Sequence, residues 1–294
     1  MGKESPIKDA KGTIDYGMTN DYMFRATLQK SKKALIGLTS VLLHLQPEQI
    51  MSIEITNPII LGETIDSRTY VLDVNIVLNN NRMLNLEMQV NNLHDWEERS
   101  LCYLCGDFSQ LNEGEPYKNI KPVLNIGILD YTLCKEEPKF YAKYYFFDEK
   151  THRLYSDKLG IGVLDLTQIA MATEEDKMYG IDTWARIFKA KTWEELRMAV
   201  KNNEYMEEAV ETMYTLNADK TVRQQCEARR RAEIEEKYLQ DEMERLTKEK
   251  DELTKKMNQM TEEKDQMTKD IDRLKQESDI WKEKYEKLLA EQNA

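Results

Sequence analysis

Two short apolar runs joined by a cluster of asparagines constrain this chain more than any other feature of its 294 residues. The stretch from Thr69 to Asn91 reads TYVLDVNIVLNNNRMLNLEMQVN. Runs rich in Val, Ile and Leu, bounded by Asn, predict two strands and a tight connection. Side chains on a strand alternate between faces with period two. Asp73 and Asn75 therefore share one face of the first strand, and Asn85, Glu87 and Gln89 share one face of the second. Both acids reach a common surface only if paired residue numbers sum to an even value, which needs a loop with an odd number of residues. Two carboxylates and an amide on one face form the oxygen-rich cluster that a hard divalent cation selects. The same acids also suit the solvated face of an open antiparallel sheet, their ordinary use.

Around this hairpin the chain reads as a mixed domain. Residues 1–18 are expected to be a flexible lead-in. Residues 19–30 and 31–45 predict two helices, with Leu35, Leu38, Leu42 and Leu45 at helical spacing and Pro47 as the stop. Residues 50–61 read as an edge or irregular strand interrupted by Pro58. Residues 94–113 predict a helix with an apolar stripe of Leu101, Leu104, Phe108 and Leu111. Arg99, Tyr103 and Gln110 form a polar stripe beside it, which is more often an exposed helix face than a binding surface. The run PVLNIGILD at 122–130 predicts a buried central strand. Residues 139–147 and 161–167 predict further strands, and helix resumes near residue 174. Thr192 with Glu195 makes a capping box.

Beyond residue 225 glycine and proline are absent, and Glu, Lys, Asp, Gln and Met dominate. Leu239, Leu246, Leu253, Met260, Met267, Leu274, Trp281 and Leu288 recur at every seventh position. Met243, Lys250, Met257, Lys264, Ile271, Ser278 and Tyr285 follow them at four-residue offsets. This heptad pattern predicts a left-handed coiled coil over 236–290. Lys250 and Lys264 at core positions favour a parallel dimer, where their ammonium groups reach water.

Charge and composition exclude several classes. The net charge is −12, and neither the first 224 residues nor the remainder is basic, so bulk charge does not drive nucleic-acid binding. Bound cations and a local basic patch can offset an acidic surface. No apolar run approaches the ~18–20 residues of a membrane span, and the first residues lack the apolar core of a signal peptide. Four cysteines are too few for a disulfide framework, so the expected compartment is a reducing cytoplasm. Cys102 and Cys105 form a C-x-x-C without suitably spaced further ligands, so they read as bystanders.

Five pieces of the chain carry a family resemblance. They are Asn20-Asp21-x-x-Phe24, Leu72-Asp73-Val74, Leu86-Glu87-Met88-Gln89, Arg99-x-x-x-Tyr103, and Gly114-x-x-Tyr117 ahead of Pro-Val-x-x-Ile at 122–126. In this order they resemble the recombination-promoting nucleases, the transposase branch of the PD-(D/E)XK nuclease superfamily, over residues 19 to 130 and more weakly to about 235. The resemblance implies an α/β fold: a three-layer α/β/α restriction-endonuclease-like core with a mixed sheet, then helices and the long C-terminal coiled coil. The nuclease-like domain would span 19–170, a helical extension 171–235 and the coiled coil 236–290.

It also implies a Mg²⁺- or Mn²⁺-dependent DNA endonuclease acting in recombination, with Asp73, Glu87 and Gln89 as catalytic residues. Asp73, Glu87 and the backbone carbonyl of Met88 would hold the metal. Asp21 is a further candidate ligand, although stabilising a helix N-terminus is its ordinary role. Arg99, Tyr103 and Gln110 would contact DNA. The general superfamily motif ends in Lys where this chain has Gln89, as the recombination-promoting branch does. The alternative is a catalytically silent nuclease-like domain whose coiled coil assembles partners.

Overall fold

The computed structural model describes residues 6–57, 74–108, 115–201 and 203–292. Two units emerge, Met1–Glu235 and Glu236–Ala294.

The first unit is built on a six-stranded sheet of order β1-β2-β3-β4-β6-β5. The strands are β1 (Ile53–Ile55), β2 (Val74–Leu78), β3 (Arg82–Gln89), β4 (Val123–Leu129), β5 (Tyr141–Phe147) and β6 (Leu154–Asp165). β1, β2 and β3 pair antiparallel, β3, β4 and β6 pair parallel, and β5 returns antiparallel at the far edge. The mixed sheet expected from the sequence is therefore present. Every residue of β4 is buried, as a parallel strand covered on both faces requires.

The β2–β3 connection is three residues, Asn79 to Asn81, closed by the pair Leu78↔Arg82. Asn79 and Asn80 adopt left-handed backbone conformations, with φ of 50° and 57°. Asn tolerates that region better than most side chains, which explains the asparagine cluster. The loop length is odd, and Val74↔Leu86 and Asn75↔Asn85 are paired numbers with an even sum. That is the parity the shared-surface expectation required.

One face of the sheet carries the main core. Helices α1 (Asp21–Lys30) and α2 (Lys32–Leu43) lie there. The side chain of Asn20 caps α1 by accepting from the backbone N–H of Met23. Ser31 ends α1 through its own N–H and starts α2 through its hydroxyl, so one residue turns the corner. Three helices complete this layer: α5 (Ile181–Lys189), α6 (Trp193–Ala199), begun by the Thr192–Glu195 capping box, and α7 (Glu204–Ala218). α7 packs on α1 and α2, and Met206, Val210 and Met213 are buried in the same core as Phe24 and Leu38. Residues 171–235 thus fall in one compact unit with the sheet. A short helix, α4 (Glu174–Tyr179), leads into α5.

Residues 6–18 differ from the flexible lead-in expected of them. Ile7, Ala10 and Met18 are buried, Thr13 bridges to Thr192, and the N–H of Tyr16 donates to Asn217. Their apolar residues are too widely spaced to betray this in the sequence.

The opposite face is covered by α3 (Trp96–Phe108). Trp96 lies on Gly127 of β4, where an added Cβ would come within 2.2 Å of the indole. Trp96 is itself buried and has no room to retreat. Gly127→Ala is expected to destabilise the unit by about 3 kcal/mol through overpacking, seen as a lowered midpoint in urea at unchanged slope.

The last helix, α8, is continuous from Lys220 to Gln292. In the second unit its heptad residues from Leu239 to Tyr285 are exposed. Among the described residues no helix is long and apolar enough to cross a membrane.

Candidate functional site

The C-terminal end of β3 and the facing side of α3 enclose the strongest polar constellation. Glu87 is only 1% exposed, although it is a carboxylate on a sheet. It is therefore not a solvated surface acid. Its Oε1 accepts from Nε2 of Gln89 at 2.7 Å and pairs with Arg99 at 2.8 Å. Arg99 stands one turn into α3 and lies over the ring of Tyr103, 5.6 Å from its centroid. The α3 polar stripe thus turns inward and meets the E-x-Q face of β3. This was legible as two separate patterns, but their contact was not, because it depends on α3 crossing back over the sheet.

Met88 points the other way, its side chain buried in the main core. The carbonyl of Gln89 accepts from the N–H of Asp130, on the β4 side. By alternation the carbonyl of Met88 faces the β2 side, beyond the last described β2–β3 pair. Asp73 and Gln110 lie outside the described residues.

Asp21 is the first residue of α1, the helix N-terminal place that is its ordinary role. Its carboxylate pairs with Arg229 of α8, which also reaches Glu233 at 3.7 Å. Among the described residues the ion-pair partner of the Asp21 carboxylate is thus Arg229.

Two features escaped the sequence. Tyr131, just past β4, has its hydroxyl pKa raised by burial, reinforced by the charges of Asp95 and Glu87, so it stays protonated as a donor beside the site. Asn91, two residues past Gln89, donates to the carbonyl of Glu233 on α8. No local motif marks either residue, because both contacts join segments distant in sequence.

Below Glu87 on the same face, Asn75, Asn85 and Asn125 stand side by side on β2, β3 and β4. Their Oδ1 atoms are buried without a hydrogen-bond partner among the described residues. Asn125 donates through Nδ2 to the carbonyl of Ser100 on α3. Next to this row a cavity of about 340 Å³ is lined by Asn75, Val77 and Met83 of the sheet and by Asp107 and Phe108 of α3. Burial raises the carboxyl pKa of Asp107 there. On the α3 face of the sheet a row of buried amides therefore separates this cavity from Glu87.

The cysteines take no part. Cys102, Cys105 and Cys134 are exposed and outside any disulfide, while Cys226 is buried, and burial pushes its thiol up to about 12. A thiol-reactive dye at pH 8 should label three cysteines of the native chain, and the fourth only in denaturant.

A family model described as PD-(D/E)XK nuclease family transposase matches residues 18–243. No curated protein and no solved structure matches the chain. The matched stretch takes in β3, α3 and the start of α8.

Proposed function

The chain belongs to the PD-(D/E)XK nuclease family transposases, and on that premise we propose that it is a divalent-metal-dependent DNA endonuclease. Glu87 carries the proposal. A carboxylate buried under a helix, sharing one oxygen with an amide and a guanidinium, is a costly arrangement that simple packing does not call for.

The donor set fits Mg²⁺ or Mn²⁺, since it consists of oxygens: the Glu87 carboxylate, the Met88 carbonyl and, in this proposal, Asp73. Even parity in the β2–β3 register supports Asp73 as the second acid. When bound, the metal lowers the pKa of a water and stabilises charge on the scissile phosphate.

The protein's own groups supply the rest. Gln89 donates to Glu87 through Nε2, which leaves its carbonyl oxygen to accept from and orient a water. Being neutral, it brings no positive charge. Arg99, seated on Tyr103, supplies that charge to a DNA phosphate, and Gln110 is a further DNA contact in this proposal. The exposed heptad stripe supports assembly as a homodimer. Three exposed cysteines outside any disulfide fit a reducing compartment, the cytoplasm.

Supercoiled plasmid incubated with the full chain should be nicked or linearised in Mg²⁺ or Mn²⁺ and left intact in chelator. No cleavage across both metals and several DNA forms would instead favour a catalytically silent scaffold, the reading that the long exposed heptad stripe also suits.

A further inference from the structure

We propose that the tip of the β5–β6 hairpin is a second nucleic-acid contact, a stacking platform for single-stranded DNA, apart from the cleavage site. The inference rests on the nuclease reading only in taking DNA as the partner.

β4 pairs with β6 only from Leu159 to Asp165, so residues 154–158 run on past the end of β4. Their partners on β5 are Phe146 and Phe147. Around this projection Tyr144, Phe146, Phe147 and Leu154 are each about half exposed, and Tyr155 is 84% exposed. A soluble chain rarely leaves so many large apolar rings in one place without a use.

Charge identifies the partner. The chain carries −12 overall, yet residues 139–158 hold five Lys/Arg against three Asp/Glu. Among the described residues Lys150 and Arg153, at the turn, form no ion pair. Lys158 bonds the carbonyls of Lys118 and Ile120, which brings the loop Tyr117-Lys118-Asn119-Ile120-Lys121 alongside. That loop adds two more cations and an 84% exposed tyrosine. Aromatic rings interleaved with cations suit unpaired bases and their phosphates. A β-strand partner is disfavoured, because irregularities at Tyr145/Phe146 and Phe146/Phe147 break the ladder that edge-to-edge pairing requires.

Strand pairing aligns Glu87 with Gly127 and Gly127 with Val163, seven residues beyond Ser156, the partner of Phe146. The platform is therefore on the order of 20 Å from Glu87 along the strands. The implied substrate has a single-stranded segment beside the point of cleavage.

The test is fluorescence anisotropy of the full chain in chelator, with a labelled 20-mer single strand and the blunt duplex of the same sequence. The single strand should bind more tightly. Phe146→Ala with Tyr155→Ala should weaken that binding at least tenfold and leave the duplex nearly unaffected; losing two stacked bases allows about this much or more. Lys150→Ala with Arg153→Ala, which removes no ring, should lower the salt slope by about one to two. Equal binding of both DNAs, or variants that bind like wild type, would overturn the platform. So would variants that change sedimentation mass while DNA affinity stays fixed, since the hairpin would then be a protein interface. Plasmid nicking in Mg²⁺ is read separately. Nicking without ring-dependent single-strand binding removes the platform alone, and ring-dependent binding without nicking removes the nuclease reading alone.

Discussion

Glu87→Gln should cut supercoiled plasmid at no more than about a thousandth of the wild-type rate, on the order of 4 kcal/mol in the barrier. Gln keeps the volume of the buried side chain, and its oxygen still accepts from Gln89 and Arg99. What it loses is the charge that would hold a divalent ion. Arg99 is about a quarter exposed and can recover part of its solvation, so the fold should lose only about 1–2 kcal/mol. Glu87→Ala is the poorer probe. It leaves a void under α3 and a partly buried guanidinium without its carboxylate, for about 3–5 kcal/mol. An acid read from sequence as purely catalytic is thus also a structural partner. Equal cleavage by wild type and Glu87→Gln would mark the activity as a contaminant. Thermal unfolding on the same preparations separates lost chemistry from lost structure.

Full-length protein should sediment at twice its 34.7 kDa mass at micromolar concentration, and Leu246→Lys with Leu253→Lys should return it to monomer. Leu246, Leu253, Met260 and Leu274 are 51–69% exposed in the single chain. Burying each against a partner contributes about 1–2 kcal/mol, so two core lysines added beside Lys250 should weaken association at least a thousandfold. Thr247, Thr254, Thr261 and Thr268 each donate at 2.8 Å to the carbonyl four residues back, on their own helix. The first half of the coil therefore offers few flanking charges for choosing a register. In a parallel pair, Asp270 and Glu277 meet the partner's Lys275 and the partner's Lys282. A wild-type monomer, or a dimer that survives both lysines, would defeat this account.

Periodicity carried most of the fold into view. The alternation around the asparagine cluster located β2 and β3 and their common face, and the apolar run at 122–130 located the central strand. Heptads located the exposed helix, and Thr192 with Glu195 located a helix start to the residue. Closure was not visible. Nothing near Tyr16 announces Asn217, and nothing near Asn91 announces Glu233, because each bond joins segments more than a hundred residues apart. The site was half legible for the same reason. Glu87 and Gln89 share a strand and appear as a motif, whereas the Arg99 contact requires knowing that α3 covers that face. Asp21 was legible as an acid in the first turn of a helix, whereas its pairing with the distant Arg229 was not.

The bond between Tyr16 and Asn217 spans 201 positions, and it sets the order in which a growing chain can become protein. A ribosome adding about 5–20 residues per second finishes β3 roughly ten seconds before it delivers α7 and the start of α8. Through that interval the apolar faces of α1 and α2 wait for Met206, Val210 and Met213. Nascent chains of this length are natural clients for holding chaperones, and their exposed strands are open to mispairing. A recombinant fragment ending at residue 170, after the last strand, keeps the proposed catalytic residues but reproduces this unfinished intermediate. The shortest fragment expected to stay soluble ends near Glu235, after the seal has formed.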